Sequence, residues 1–187
     1  MTAIEDENEL VERAKTDPEA FGILYERYVD KIYSYIYYRT SNQEDAEDLT
    51  AKVFHKALGH IGTYKNRGHP FSAWLYRIAT NEINRFYRKR KREPVFSVEK
   101  QDFRELLSFQ PENDHTMERQ IQQLLRLLED LPTPMLEVLE LRFIEGHSFK
   151  EIAFILNLSE SGAKMRTYRA LDSIRNIWDR KHQRKHG

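Results

Sequence analysis

Apolar positions along the chain recur in steps of three and four. Phe21, Leu24, Tyr25, Tyr28, Ile32, Tyr35 and Ile36 trace one stripe, and Ala46, Leu49, Val53, Ala57, Leu58 and Ile61 trace a second. That spacing puts each set on one face of an α-helix. Helix starts are written beside the stripes. Asp17-Pro18 and Thr133-Pro134 each place a capping side chain before a proline, whose fixed φ suits the first helical position. Ser41 with Glu44, and Ser148 with Glu151, have the spacing of a reciprocal capping box. No segment alternates apolar and polar residues between turn signals, so the pattern predicts an all-α protein.

The helical pattern lapses between about Glu93 and Asp114, where Pro94 and Pro111 flank polar residues and short apolar clusters. A flexible linker over 94–117 is expected, separating two small helical domains at 1–93 and 118–187. A domain of about 70 residues supports a core of three or four well-packed helices at most.

The second domain carries the sharpest local pattern. A helix over Pro134–Glu145 should stop at Gly146, which tolerates the left-handed backbone of a helix end. Ser148 then caps a short helix with Ile152, Ala153 and Leu156 turned inward, and Asn157 suits the tight turn after it. Ser159 caps a last, long helix. Two helices around a three-residue turn form a helix-turn-helix. Ser161, Lys164, Met165 and Tyr168 should share one face of its second helix, while Ala163, Ala170, Leu171 and Ile174 pack. Such a helix fits the DNA major groove, with cations on the phosphates. An ordinary helical hairpin has the same apolar pattern; the charge distribution favours DNA.

Thirty bases against thirty acids give the 187 residues no net charge, which taken alone argues against a polyanionic partner. The zero is a sum of blocks. Residues 64–92 hold nine bases and only Glu82, a net of +8, and 161–187 hold eight bases and two acids, a net of +6. Residues 1–30 and 93–137 are each −6. A polyanion responds to the local field, so the blocks outweigh the total. The absence of cysteine excludes disulfides, thiol catalysis and thiolate metal sites. No apolar run is long enough to span a bilayer, so no membrane insertion is expected. The acidic start, MTAIEDENEL, lacks the features of a signal peptide, and a cytoplasmic location is expected.

The first basic block also interleaves aromatics. Its loop, Tyr64-Lys65-Asn66-Arg67-Gly68-His69, precedes a helix bearing Trp74, Tyr76, Phe86 and Tyr87 among Arg77, Arg85, Arg88 and Lys89. Rings that stack on bases and cations that track phosphates suit single-stranded DNA. Trp74 stands at core spacing and reads as packing; Tyr64, in the loop, is the better base contact. Asn81 reads equally as a base contact or as a solvent-facing helix residue.

Three stretches together resemble the extracytoplasmic-function sigma factors, the small two-domain branch of the sigma-70 family. DAEDLTAKVFHKAL at 45–58 is similar to the family's polymerase-binding helix, and FSAWLYRIATNEINRFYRKRKR at 71–92 to its −10 element helix. Residues 131–175 resemble its −35-binding domain. The resemblance implies a subunit that confers promoter specificity on bacterial RNA polymerase. It would dock on the clamp coiled coil of the largest subunit through Asp45, Glu47, Asp48, Val53 and Phe54, with the second-largest subunit's flap a further contact. Tyr64, Lys65, Asn66, Arg67, His69, Arg77, Asn81, Arg85, Arg88 and Lys89 would capture and melt the −10 element, the basic run at 85–92 lying along the promoter backbone. Ser159, Ser161, Lys164, Met165, Arg166, Tyr168 and Arg169 would read the −35 element. Many members of the family are held inactive by an anti-sigma factor, which the resemblance admits as another partner. Departures from the family pattern fall at Ala51 and Lys52, where Gln-Glu is usual, at Thr80 and Arg85, and at Ser161, Gly162 and Thr167.

An enzyme is not expected. The acids at Glu44, Asp45, Glu47 and Asp48 fall in the first turns of a helix, where the positive end of its dipole stabilises them. The seven histidines show no ligand spacing, so neither cofactor nor metal is implied. The alternative is a helix-turn-helix regulator that binds duplex DNA without acting as a polymerase subunit. It leaves the aromatic and basic segment at 61–92 without a purpose.

Overall fold

A computed structural model describes residues 6–91, 128 and 131–183, with the backbone alone at 181–183. The described residues contain no strand, in agreement with the all-α pattern. The expected linker, 94–117, lies outside them, as do both domain boundaries. The chain divides into two compact units, Met1–Val95 and, for the most part, Phe96–Gly187.

Among the described residues four helices build the N-terminal unit: α1 (Glu7–Ala14), α2 (Pro18–Thr40), α3 (Gln43–His60) and α4 (Phe71–Arg90), with a 3-10 turn at Ile61–Thr63. Asp17 caps α2 as the sequence predicts, its carboxylate accepting from the Glu19 N–H at 3.0 Å. Ser41 does not cap α3. It ends α2 in the left-handed conformation, and Asn42 caps α3 by accepting from Asp45 N–H at 2.9 Å. Two capping residues stand side by side there, and the one needed to turn the chain cannot also start the next helix. Leu24, Ile32, Tyr35, Ile36, Val53, Ala57, Leu75 and Ala79 fill the core between α2, α3 and α4.

Polar ties cross this core. The Tyr35 and Thr80 hydroxyls share a hydrogen bond of 2.8 Å, Lys56 pairs with the buried Glu82, and the Tyr87 hydroxyl donates to the Arg39 carbonyl. Arg39 is itself buried at 1% exposure, its guanidinium 3.5 Å from the centre of the Tyr35 ring. Thr80 is thus an interior hydrogen-bonding residue. Two positions leave the predicted stripes: Tyr25 and Leu58 are 42% and 50% exposed. Each adjoins a core residue, Leu24 or Ala57, and lies at the stripe's outer edge.

In the C-terminal unit α5 (Thr133–Leu139) runs into a π-helical turn at Glu140–Ile144, followed by α6 (Phe149–Leu156) and α7 (Glu160–Gln183). The sequence pattern places Thr133 as the cap of α5, but the helix already includes it and Pro132 takes the cap position, with no side-chain hydrogen bond. The other local expectations hold. Gly146 adopts φ 74° and Asn157 φ 55°, both left-handed. Ser148 and Glu151 form the full capping box. One core cluster joins Leu128, Leu131, Leu136, Leu139 and Ala170, with Met135, Ile174 and Ile177 packed against it, and Val138, Leu141, Ile152 and Ala163 are also buried. Leu171, expected to pack, is 39% exposed on the outer side of α7.

Candidate nucleic-acid interface

α4 is amphipathic in a way that separates core from charge. Phe71, Leu75, Ala79, Glu82 and Ile83 are buried, while Asn81, Arg85, Arg88 and Lys89 are exposed and Arg77 is half-buried. Residues 77, 81, 85 and 88 follow in steps of four, four and three, so at about 100° per residue they form one stripe along the helix. The exposure of Asn81 settles its place: it faces solvent, within that stripe. Arg90 stands apart from it. Its guanidinium makes two hydrogen bonds of 2.9 Å to the Asp45 carboxylate at the start of α3 and covers the Phe86 ring at 4.1 Å. The basic run is therefore not a uniform cationic strip, because one member is committed to α3.

The loop before α4 holds Lys65, Asn66 and Arg67 exposed, with Tyr64 and His69 half-buried. Tyr64 is not free in the loop. Its ring centre lies 4.8 Å from that of Trp74 and 5.6 Å from that of Phe71, and its hydroxyl donates to the His69 carbonyl at 3.4 Å. Burial raises the Tyr64 phenol above its ordinary range, with the nearby Glu7 and Glu12 charges adding to the effect, so the ring stays neutral at physiological pH. Trp74, read from spacing as packing, is half-buried and forms the floor under Tyr64.

On α7, Ser161, Lys164, Met165, Tyr168 and Arg169 are exposed, Met165 and Tyr168 at 52% and 58%. Ala163, Thr167 and Ala170 are buried behind them. Ser159 caps the helix through a 3.0 Å hydrogen bond from Gly162 N–H. A Cβ on Gly162 would sit 3.0 Å from that capping oxygen, which accounts for glycine at this position. Thr167 fits the interior by donating its hydroxyl to the Ala163 carbonyl at 3.0 Å. Arg166 is half-buried, and its helical angle turns it away from the Ser161, Lys164 and Tyr168 face. Lys164 is paired with Glu160 at 3.0 Å, and its ammonium lies 5.9 Å from the centre of the Phe149 ring.

The residues expected to meet polymerase divide in two. Glu47 and Asp48 are exposed near the start of α3, Asp48 lying 3.6 Å from the ammonium of Lys52. Asp45 is bound by Arg90. Val53 and Phe54 are 0% and 5% exposed, Phe54 packing edge-on against Tyr25 at 4.8 Å. Both therefore face the interior of the unit, not the exposed side of α3 that carries Glu47 and Asp48. Two residues the sequence reading passed over, Glu7 and Asn8 of α1, reach the loop before α4: Glu7 accepts from the Phe71 N–H at 3.2 Å, and Asn8 from the Asn66 side chain at 2.9 Å. Their only sequence signal was membership of an acidic N-terminal block. Among the described residues no group of His, Asp or Glu has the arrangement of a metal site, and no helix is long and apolar enough to cross a membrane.

The profile of sigma-70 region 2 matches residues 24–93, and that of sigma-70 region 4 matches residues 121–174. The chain is 37% identical over 171 residues to the ECF RNA polymerase sigma factor BldN of Streptomyces coelicolor, covering 90% of this chain and 64% of that relative. It is 31% identical over 178 residues to the ECF RNA polymerase sigma-E factor of Escherichia coli, covering 89% of this chain and 91% of the relative. The fold is similar to that of the sigma factor RpoE in complex with the anti-sigma factor NepR from Bartonella quintana. The TM-score is 0.60 at 20% identity, over 85% of this chain and 96% of that one.

Proposed function

The chain belongs to the ECF RNA polymerase sigma factors of the sigma-70 family, and from that premise we propose how its surfaces divide the work of promoter recognition. Residues 1–93 act as the region 2-like domain that docks on core polymerase and opens the −10 element. Residues 118–187 act as the region 4-like domain that reads the −35 element as duplex. The mechanism is binding; this chain makes and breaks no bond, and it works in the cytoplasm, where polymerase is.

The observation that carries this reading is the stripe of half-buried Arg77 and exposed Asn81, Arg85 and Arg88 on α4, beside an exposed loop of Lys65, Asn66 and Arg67. A duplex reader needs phosphate contacts and base-edge contacts; a melting subunit also needs a place for unpaired bases. The loop and the Asn81 amide supply polar groups for such bases, and the arginines supply the phosphate contacts. Tyr64, wedged against Trp74, shapes the loop and offers a ring edge rather than a free stacking face. On α7, Ser161, Lys164, Met165 and Tyr168 face the major groove, and Arg169 grips phosphate. Glu47 and Asp48 dock on the clamp coiled coil, with Val53 and Phe54 fixing the helix behind them. An anti-sigma factor is an expected restraint on a protein of this family.

The test is transcription in vitro with added core polymerase from a fragmented bacterial genome, followed by sequencing of the transcripts to map the promoters used. Replacing Arg88 and Lys89 with glutamate should cut open-complex yield about tenfold or more at fixed salt, because two phosphate contacts become repulsions. Unchanged open-complex yield would remove the role given to α4. Tight binding of the pure protein to duplex DNA, with no affinity for core enzyme, would return the chain to the class of simple regulators.

A further inference from the structure

The helix α4 begins without a cap of its own. Pro70 occupies the cap position and has no side-chain acceptor, so the first N–H groups of α4 need a partner from elsewhere. That partner comes from the other end of the unit. Glu7, in the first turn of α1, accepts from the Phe71 N–H through Oε1 at 3.2 Å and from the Tyr28 hydroxyl through Oε2. One carboxylate thus ties α1 to α2 and to the start of α4, where its negative charge also meets the positive end of the helix dipole. Burial, reinforced by the Glu7 charge, raises the Tyr28 phenol and keeps it a donor.

The next residue continues the tie. Asn8 accepts from the Asn66 amide at 2.9 Å, while the other end of the same amide, its Oδ1, accepts from the Gly68 N–H at 2.9 Å. Gly68 has φ 81°, a conformation open to glycine at no steric cost. Asn66 is exposed, yet both ends of its side chain are engaged. An exposed loop of this composition would ordinarily sample many conformations, and ordering it costs roughly 1–2 kcal/mol per residue. Here the loop is ordered before any ligand arrives. Anchoring α1 does not require Glu7 and Asn8, because Leu10, Val11 and Ala14 are already buried.

We propose that α1 is a strap for the DNA-facing loop: Glu7 and Asn8 are positioning residues that preset residues 64–69 for unpaired promoter bases, so that binding does not carry the cost of ordering them. The inference rests on the reading of this loop as the −10 capture site. Neither side chain touches DNA. Their effect is confined to the step that requires the loop, capture of unpaired bases, and leaves core docking and duplex recognition by α7 alone. Preorganisation acts on affinity through the entropy a flexible loop would lose.

The experiment uses holoenzyme assembled from the full chain and core polymerase. The probe is a fluorescein-labelled single-stranded oligonucleotide carrying the non-template −10 sequence of a promoter mapped by the transcription experiment. Glu7→Ala, which removes the acceptor of both the Phe71 N–H and the Tyr28 hydroxyl, should weaken oligonucleotide binding about 5- to 10-fold, and Asn8→Ala, which removes one neutral hydrogen bond, about 2- to 3-fold. Affinity for core should stay within about twofold for both. Glu7→Gln, which keeps a carbonyl acceptor for the Phe71 N–H, should recover part of the loss. A second readout follows the loop itself. In a Trp178→Phe background Trp74 is the sole tryptophan, and Asn8→Ala should increase its quenching by acrylamide while leaving the unfolding midpoint unchanged. If Lys65→Ala and Arg67→Ala weaken binding but both α1 variants bind like wild type, the strap is wrong and the loop's role stands. If the loop variants also bind like wild type, the reading of the loop falls, and the strap with it.

Discussion

The two surfaces proposed to face DNA are held by different kinds of contact. In the N-terminal unit, beside local caps such as Asp17 and Asn42, a set of hydrogen bonds joins residues far apart in the chain: Glu7 to Phe71, Asn8 to Asn66, Tyr35 to Thr80, Arg39 to Tyr87, Asp45 to Arg90. In the C-terminal unit most described side-chain bonds close within five residues, as in Ser148 with Glu151, Arg142 with His147, Ser159 with Gly162 and Thr167 with Ala163. The first arrangement sets a loop between helices, which local geometry alone does not fix. The second sets one helix start after one turn, which local geometry does fix. The loop proposed to hold unpaired bases therefore depends on distant residues, and the helix proposed to read duplex depends on its own caps.

The chain offers a direct way to test that contrast, since it has two tryptophans, Trp74 in the first unit and Trp178 in the second. Single-tryptophan variants report each unit's denaturant unfolding separately. The largest effect is expected from Lys56→Met, which leaves the 9%-exposed Glu82 side chain without its cation. Breaking a fully buried pair costs about 3–5 kcal/mol; with Lys56 at 39% exposure about 2 kcal/mol is expected at Trp74. Tyr35→Phe should follow at about 1.5 kcal/mol, because it leaves the buried Thr80 hydroxyl unmatched. Adding Thr80→Val to it should restore part of that loss, and an additive double variant would show that the pair is not coupled.

Ser148→Ala removes the capping box of α6 and should cost about 1 kcal/mol, read at Trp178. A loss larger than that of Lys56→Met would invert the contrast between the units. The smallest effects come from glycines. A Cβ on Gly22, on the exposed side of α2, meets nothing within 4 Å, so Gly22→Ala should stabilise by about 0.5–1 kcal/mol. Gly162→Ala should show no such gain, since its Cβ crowds the Ser159 cap at 3.0 Å. Equal gains at both positions would mean that the cap moves aside without cost.

The same contrast explains what was legible in the sequence. Gly146, the Ser148–Glu151 box, Asn157 and Ser159 could be read because each acts on neighbours a few places away. The exposed face of α7 followed from helical periodicity, whereas spacing left the place of Asn81 open until its exposure on α4 was seen. Periodicity does not say where a stripe ends, so Leu58 and Leu171 were placed inside and are exposed. Nor did the resemblance separate exposed positions of α3 from buried ones, and Val53 and Phe54 are buried. Glu7 and Asn8 were invisible for a different reason. Their partners stand 64 and 58 residues away, and no local rule connects such positions.

Three helices end on residues other than glycine in left-handed conformation: Ser41 at φ 48°, Lys91 at φ 50° and Asn157 at φ 55°. For a protein engineer these are three addresses where one substitution to glycine would relax the backbone without moving a contact in the core. The addresses are not equivalent in what they would give up. At Asn157 the change is nearly silent in chemistry, and at Ser41 it removes one exposed hydroxyl. At Lys91 it removes a positive charge from the end of the helix proposed to face the promoter, where, on that reading, sturdiness and grip on DNA pull in opposite directions. A thermostable version of this protein made at Ser41 and Asn157 would keep its cations; one made at Lys91 would trade binding for endurance.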